Sequence, residues 1–272
     1  TKAARPQQRV RLDKTALERV LRQAPMEFSE AATRTIVVLT LPMPDRTFAR
    51  FRIEESPIME ASLAAQFPEI KTYQGQGIDD PTATTRFDWT PRGFHAIVLS
   101  PSDTIYVDPV GSEGEYVTFN KRDFHRAGET FHCYVGESKT GIAPERQQTE
   151  PVPKVVTNAG TLHTYRLAVA ATGEYTAFQG NTVALALAAI NTTMNRVNGI
   201  YERDLSIRMV LIANEPNIIY TNAATDPYTN GDPNTMINEN QSNLDMAIGN
   251  ANYDIGHVFG TNSGGLAGLG VV

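Results

Sequence analysis

The hydrophobic rhythm of this chain changes once, near Glu150-Pro151-Val152-Pro153, and that change limits what it can fold into. Before the break, apolar residues come in short β-branched and aromatic runs. After it, longer segments with helical spacing appear between strands. The Pro-Val-Pro segment favours an extended connector, because each proline fixes φ and restricts the residue before it. Composition shifts at the same place. One asparagine, Asn120, precedes residue 154 and sixteen follow it, while 40 of the 54 Lys, Arg, Asp and Glu come before. So abrupt a change of surface chemistry points to two units, 1–150 and 161–272, joined by a connector at 151–160.

The first unit reads as mostly antiparallel β. Asp13 caps a short helix whose apolar positions are Ala16, Leu17, Val20 and Leu21. Strands are predicted at 35–41, 47–53, 70–74, 84–89, 94–99, 104–107 and 115–119, with one helical interruption at 59–67. Pro42-Met43-Pro44-Asp45 makes a turn between the first two. In the second unit a strand at 162–171 leads into a long helix at 176–200, carried by Val183, Leu187, Ile190, Met194 and Val197. A strand at 205–213 follows, then a helix opened by Asp232-Pro233 and running to about residue 250. Strands at 253–260 and 266–272 close the chain around the turn Asn262-Ser263-Gly264-Gly265. The order β-α-β-α-β-β implies a mostly parallel sheet with one antiparallel partner, so the chain as a whole is α+β with an α/β second half.

Charge and composition exclude several functions. Residues before Lys154 hold 19 basic against 21 acidic groups, and those from Lys154 onward hold 5 against 9. Neither half has the basic field that neutralises phosphates, so no nucleic-acid partner is expected. No apolar run reaches bilayer-spanning length, and no membrane partner is expected either. Cys133 is the single cysteine, which rules out a disulfide framework. A start at Thr1 suggests a processed chain, and six lysines among many Asn and Thr fit a secreted bacterial surface.

No complete catalytic constellation stands in the sequence. The histidines are His95, His125, His132, His163 and His257, and no pair has the helical i, i+4 spacing that presents two imidazoles to zinc. Neither a Gly-x-Ser-x-Gly elbow nor a phosphate loop occurs. A triad drawn from Ser206, His257 and Asp254 has no support in spacing. His257 alternates with Ile255 and Phe259 along a strand and reads as a structural imidazole, as does His163.

The run Tyr253-Asp254-Ile255-Gly256-His257-Val258-Phe259-Gly260, followed by Gly265-Leu266-Ala267-Gly268-Leu269-Gly270-Val271-Val272, resembles the third and fourth strands of reprolysin-like (adamalysin-type) zinc metallopeptidases of the metzincin clan. His163-Thr164-Tyr165-Arg166-Leu167-Ala168-Val169-Ala170 is similar to their first strand. The first unit resembles the propeptide of the secreted bacterial branch at Phe51–Met59 and Ile70–Gly77.

The resemblance implies a zinc endopeptidase precursor acting on protein or peptide substrates. Its inhibitory propeptide would occupy residues 1–150, and the upper part of its catalytic domain residues 161–272. The three zinc-binding histidines, the general-base glutamate and the remainder of the catalytic domain are then expected beyond Val272, leaving this fragment inert by itself. Two features inside the chain acquire roles by the same implication. Gly265, Leu266, Ala267, Gly268 and Leu269 would border the cleft and pair with an extended substrate; the alternative is a glycine-rich edge strand with no ligand. Cys133 would hold the catalytic zinc in the latent form, its thiolate displacing the attacking water. The alternative is a small buried hydrophobe, and its neighbours depart from the Pro-Lys-Met-Cys-Gly-Val type of switch. Structural calcium does not carry over. The glutamate that holds it in many adamalysin relatives is Arg166 here, and Glu174 and Asp254 are the acidic residues left nearby. Two rival readings remain: a non-enzymatic binding or inhibitor protein capturing an extended peptide on its last strand, and a metal-free hydrolase.

Overall fold

The computed structural model describes residues 7–111, 114–124, 161–262 and 264–268. By their internal packing the residues form two units. One comprises 1–127 together with 187–205, and the other comprises 128–186 with 206–272.

The first unit is built on an eight-stranded antiparallel sheet in the order β1-β8-β7-β6-β5-β4-β3-β2. Its strands are β1 (Gln7–Arg11), β2 (Val37–Pro42), β3 (Phe48–Glu55), β4 (Lys71–Gly77), β5 (Thr84–Thr90), β6 (Gly93–Leu99), β7 (Thr104–Pro109) and β8 (Glu115–Asn120). From β2 to β8 every strand pairs with its sequence neighbour, a meander in which loop closure is short and local. β1 returns to the far edge beside β8, with Arg9 opposite Val117. Its sequence, Gln-Gln-Arg-Val-Arg, has little β character and was not expected to form a strand.

Helices α1 (Lys14–Leu21), α2 (Glu30–Arg34) and α3 (Ala61–Gln66) interrupt the strands. The expected cap on α1 is present, with Asp13 Oδ1 accepting from the Ala16 N–H at 2.9 Å. α1 presents Leu17 and Leu21 to one face of the sheet, where Leu39, Phe51, Ile53, Phe87, Phe94 and Val98 form the core. Tyr73 stacks on Phe87 at 5.0 Å, Phe87 meets Phe94 at 5.6 Å, and the Phe94 N–H donates to the Tyr116 hydroxyl at 3.1 Å. These odd-numbered β5 residues and even-numbered β6 residues share the core face because side chains alternate along a strand.

The second unit carries a three-stranded parallel sheet, order β10-β9-β11, from β9 (His163–Ala171), β10 (Ile207–Leu211) and β11 (Ile255–Phe259). Central β9 is buried over Leu167–Ala171, as expected of a parallel strand covered on both faces. Between β9 and β10 the expected single helix is two, α4 (Gly173–Phe178) and α5 (Val183–Leu205). Gly180 and Asn181 both adopt positive φ, of 114° and 60°, which ends α4. Thr182 then restarts the chain by accepting from the Leu185 N–H at 3.2 Å. Helix α6 (Pro233–Ala247) begins as expected, with Asp232 as its cap and proline in the first turn. The order among the described residues is therefore β-α-α-β-α-β. Of the expected last strand at 266–272, residues 266–268 are not in a strand and 269–272 lie outside the described residues, while Gly265 just before it forms a β-bridge.

α6 packs on β9 and β11 through a core of Ala168, Ala170, Ile212, Ile218, Tyr228, Leu244 and Ile248. The asparagines read as surface chemistry are partly interior. Asn240 accepts from the Tyr228 hydroxyl at 2.9 Å, Asn243 donates back to that hydroxyl at 2.8 Å, and the Tyr220 hydroxyl donates to Asn243 at 2.6 Å. A short amide satisfies a buried phenol without introducing a charge.

Candidate functional site

The residues around the end of β11 fix the chain just ahead of the glycine-rich segment. The Thr172 N–H donates to the Phe259 carbonyl at 3.0 Å, tying the end of β11 to the start of α4. Asn230 then reads the next residues: its Oδ1 accepts from the Thr261 N–H at 3.0 Å and its Nδ2 donates to Thr261 Oγ1 at 2.8 Å. Asn262 Nδ2 completes the anchor on the Gly231 carbonyl at 2.7 Å. Gly260 permits this approach, since a Cβ there would stand 2.7 Å from Asn230 Oδ1 and 3.1 Å from Met236 Cε. Gly264, at φ 139°, turns the chain onward. Gly265 and Leu266 are half-buried while Ala267 and Gly268 are exposed, so the small-residue surface expected to meet an extended peptide is open over those two residues. Leu269 and Cys133 lie outside the described residues.

At the opposite end of the same sheet, Arg166 and Asp254 clamp β9 to the turn before β11. The Arg166 N–H and guanidinium Nη2 each donate to the Asp254 carboxylate at 2.7 Å, and Nη1 donates to the Ala251 carbonyl at 2.8 Å. In return the Asp254 N–H donates to the Arg166 carbonyl at 2.9 Å. Hydrogen bonds from Arg166 hold the Asp254 carboxyl below the usual aspartate range. The negative charge of Asp254 is thus met by a guanidinium of the chain.

Glu215 has the most unusual environment in the second unit. β10 ends at Leu211, and the chain leaves the sheet before bridging back to Ala171 at Ile219. The rung missing between them is supplied by a side chain, since Glu215 Oε1 accepts from the Val169 N–H at 2.7 Å. Glu215 is fully buried, and its Oε2 has no hydrogen-bond partner among the described residues. Burial pushes its carboxyl well above the ordinary range, opposed only by the Val169 bond. Its Oε1 stands where a neighbouring strand would place a backbone carbonyl opposite Val169.

The histidines among the described residues, His95, His163 and His257, do not converge. The His163 N–H donates to the Ser206 carbonyl at 2.9 Å at the exposed start of β9. His257 is exposed on β11 with its ring edge-on to Phe259 at 5.0 Å. His95 pairs with Asp88 at 3.0 Å, while His125 and His132 lie outside the described residues. Among the described residues no three His, Cys, Asp or Glu side chains are close enough to hold a metal ion. Zinc therefore does not fit the described residues. No helix among them is long and apolar enough to cross a membrane.

A second polar cluster went unread in the sequence. The β5 residues facing away from the core, Arg86 and Asp88, are only 3% and 1% exposed. Residues of α5 meet them. Arg86 Nη2 donates to both Glu202 oxygens, at 2.5 and 2.6 Å, and Thr192 Oγ1 donates to Asp88 Oδ1 at 3.1 Å. Burial pushes the Asp88 carboxyl up, against the pull of His95, Arg196 and Thr192. The available signal was a polar stripe of Asn191, Asn195, Asn198 and Glu202 at helical spacing, alongside the apolar one.

Compared with known families, residues 161–272 match the model of the reprolysin-like metallo-peptidases of family M12B. That range runs from the approach to β9 to the end of the chain and contains α5, the anchored segment and the Arg166–Asp254 clamp; the eight-stranded sheet precedes it. No curated protein matches the chain.

Proposed function

We propose that the chain is part of a secreted zinc endopeptidase precursor, with residues 161–272 contributing to its catalytic domain and residues 1–150 acting as an inhibitory propeptide. The match of residues 161–272 to a metallopeptidase family is the observation that carries this reading. It is supported by the parallel strand–helix–strand arrangement and by the Gly264–Gly268 segment that follows the anchored residues Thr261 and Asn262, whose small residues suit close approach of an extended protein or peptide substrate. The same match favours an enzyme over a peptide-capturing binding protein. Zinc is the cofactor the family implies, and its ligands are proposed to lie outside the residues described. Cys133 is the proposed latency ligand, and the connector at 151–160 the proposed site of activating cleavage.

The test uses the full-length precursor with an inserted cleavage sequence in the connector and an unfolded protein as substrate. Proteolysis that appears only after the cut, and is abolished by a metal chelator, is the expected result. Full proteolytic rate in the uncut precursor would refute the propeptide assignment, and activity indifferent to chelation would refute the metallopeptidase assignment. Cys133→Ser in the uncut precursor separates the latency residue from the rest: raised basal activity is expected, and no change removes Cys133 from the reading.

A further inference from the structure

We propose that one stripe of helix α5 is a recognition surface for the N-terminal sheet, and that it holds residues 7–124 as a non-covalent partner after the connecting chain is cut. The stripe consists of Thr192, Asn195, Arg196, Gly199 and Glu202, which succeed one another at spacings of three, one, three and three residues and so lie along one side of the helix. Each meets the sheet differently. Glu202 receives the Arg86 guanidinium on both oxygens. Asn195 Nδ2 donates to the Phe87 backbone carbonyl at 2.9 Å, and its Oδ1 accepts from Arg86 Nη1 at 3.4 Å. Thr192 donates to Asp88, and Arg196 pairs with Asp108 while covering the Tyr106 ring at 5.0 Å. Gly199 leaves room for the Arg86 stem, since a Cβ there would stand 3.1 Å from Arg86 Cγ and 3.5 Å from Leu99 Cδ1.

The character of these contacts distinguishes a recognition surface from ordinary core packing. A helix covering a sheet normally does so with an aliphatic stripe. Here the covering face is read by paired charges and amides whose geometry admits one register. The Arg86 side chain is 3% exposed and that of Glu202 17%. A pair so far out of water contributes selectivity more than raw stability, because either member left alone is a buried, uncompensated charge. The helix belongs to the segment that matches the peptidase family, and β5–β7 do not. Arg86 and Glu202 are therefore complementary groups on two stretches of chain that one cleavage would make separate molecules. A polar docking face is also the kind that leaves each side soluble once parted.

The experiment reads association and not proteolysis, so it fails independently of the peptidase reading. The full chain is cut at a cleavage sequence inserted between residues 150 and 161, then passed over a sizing column at physiological salt. Co-elution of the two pieces is expected, and their immediate separation would overturn the proposal. Glu202→Gln should then weaken the pair at least about thirtyfold, because the buried Arg86 guanidinium loses the carboxylate charge that receives both Nη2 bonds. Unchanged affinity in that variant overturns the proposal as well. Thermal melting of each uncut variant controls for folding. Should Glu202→Gln fail to fold, Arg196→Ala replaces it at a pair whose members are both 25% exposed; it should weaken association in the same direction, and no change there is equally fatal.

Discussion

Replacing Glu215 tests whether a protonated carboxyl completes the parallel sheet. Below the ordinary glutamate range the group is neutral in folded and unfolded chain alike, and the bond from Val169 is made without burying charge. As pH rises past that range the unfolded chain ionises first, because the raised folded-state value keeps the buried group protonated. The contribution of Glu215 to stability is therefore greatest at low pH and falls by about 1.4 kcal/mol per pH unit, levelling once pH passes the folded-state value. Glu215→Gln keeps an acceptor for Val169 and cannot ionise, so its stability lacks this slope and gains on the wild type as pH rises. Glu215→Ala orphans a buried N–H, costing about 1–3 kcal/mol, with a further loss from the emptied volume. Urea unfolding of all three chains, followed by circular dichroism from about pH 4.5 to about pH 8, gives both quantities. A wild-type-minus-Gln difference that stays flat with pH, or an alanine variant as stable as the glutamine one, refutes the reasoning.

Two further outcomes follow from the same half of the chain. Arg166→Ala should cost about 1 kcal/mol, a modest figure because the Asp254 pair is partly exposed and screened. Since the Asp254 pKa is depressed, that contribution is present above the usual aspartate range and vanishes as pH falls through the lowered value; melting curves of wild type and variant should converge in acid and in high salt. Gly260→Ala should push the Asn230 amide off Thr261, speeding limited proteolysis between residues 260 and 268 while costing only about 1 kcal/mol of stability. Unchanged cleavage kinetics would show that Asn230 does not anchor this segment.

The legible parts of the fold were those governed by local rules. Strands β2 to β8 showed themselves through alternation, and α1 and α6 through their Asp13 and Asp232 caps. The break between α4 and α5 was missed because the apolar spacing runs on from residue 183; Gly180-Asn181 was the local signal that the chain could leave the helical region there. Polar alternation in β5 was misleading in a different way. Arg86 and Asp88 sit where a half-solvated strand carries its charges, and what buries them is a helix about a hundred residues away. The role of Glu215 was unreadable for the same reason, since it depends on where β10 stops relative to β9. At the candidate site, the glycine-rich run was visible in sequence, whereas Asn230, which fixes its approach, had no pattern to mark it.

Strand β5 answers to two neighbours at once. Its odd-numbered side chains are committed to the interior shared with α1, and Arg86 and Asp88 on its other face to groups encoded after the proline-rich break. Drift at Arg86 or Asp88 must then be matched by drift at Glu202 or Thr192, so the two halves of the chain are bound to change together. A chimera that grafts a foreign amino-terminal half onto this carboxy-terminal one would inherit unmatched charges in a dry seam, unless those helix positions travelled with it.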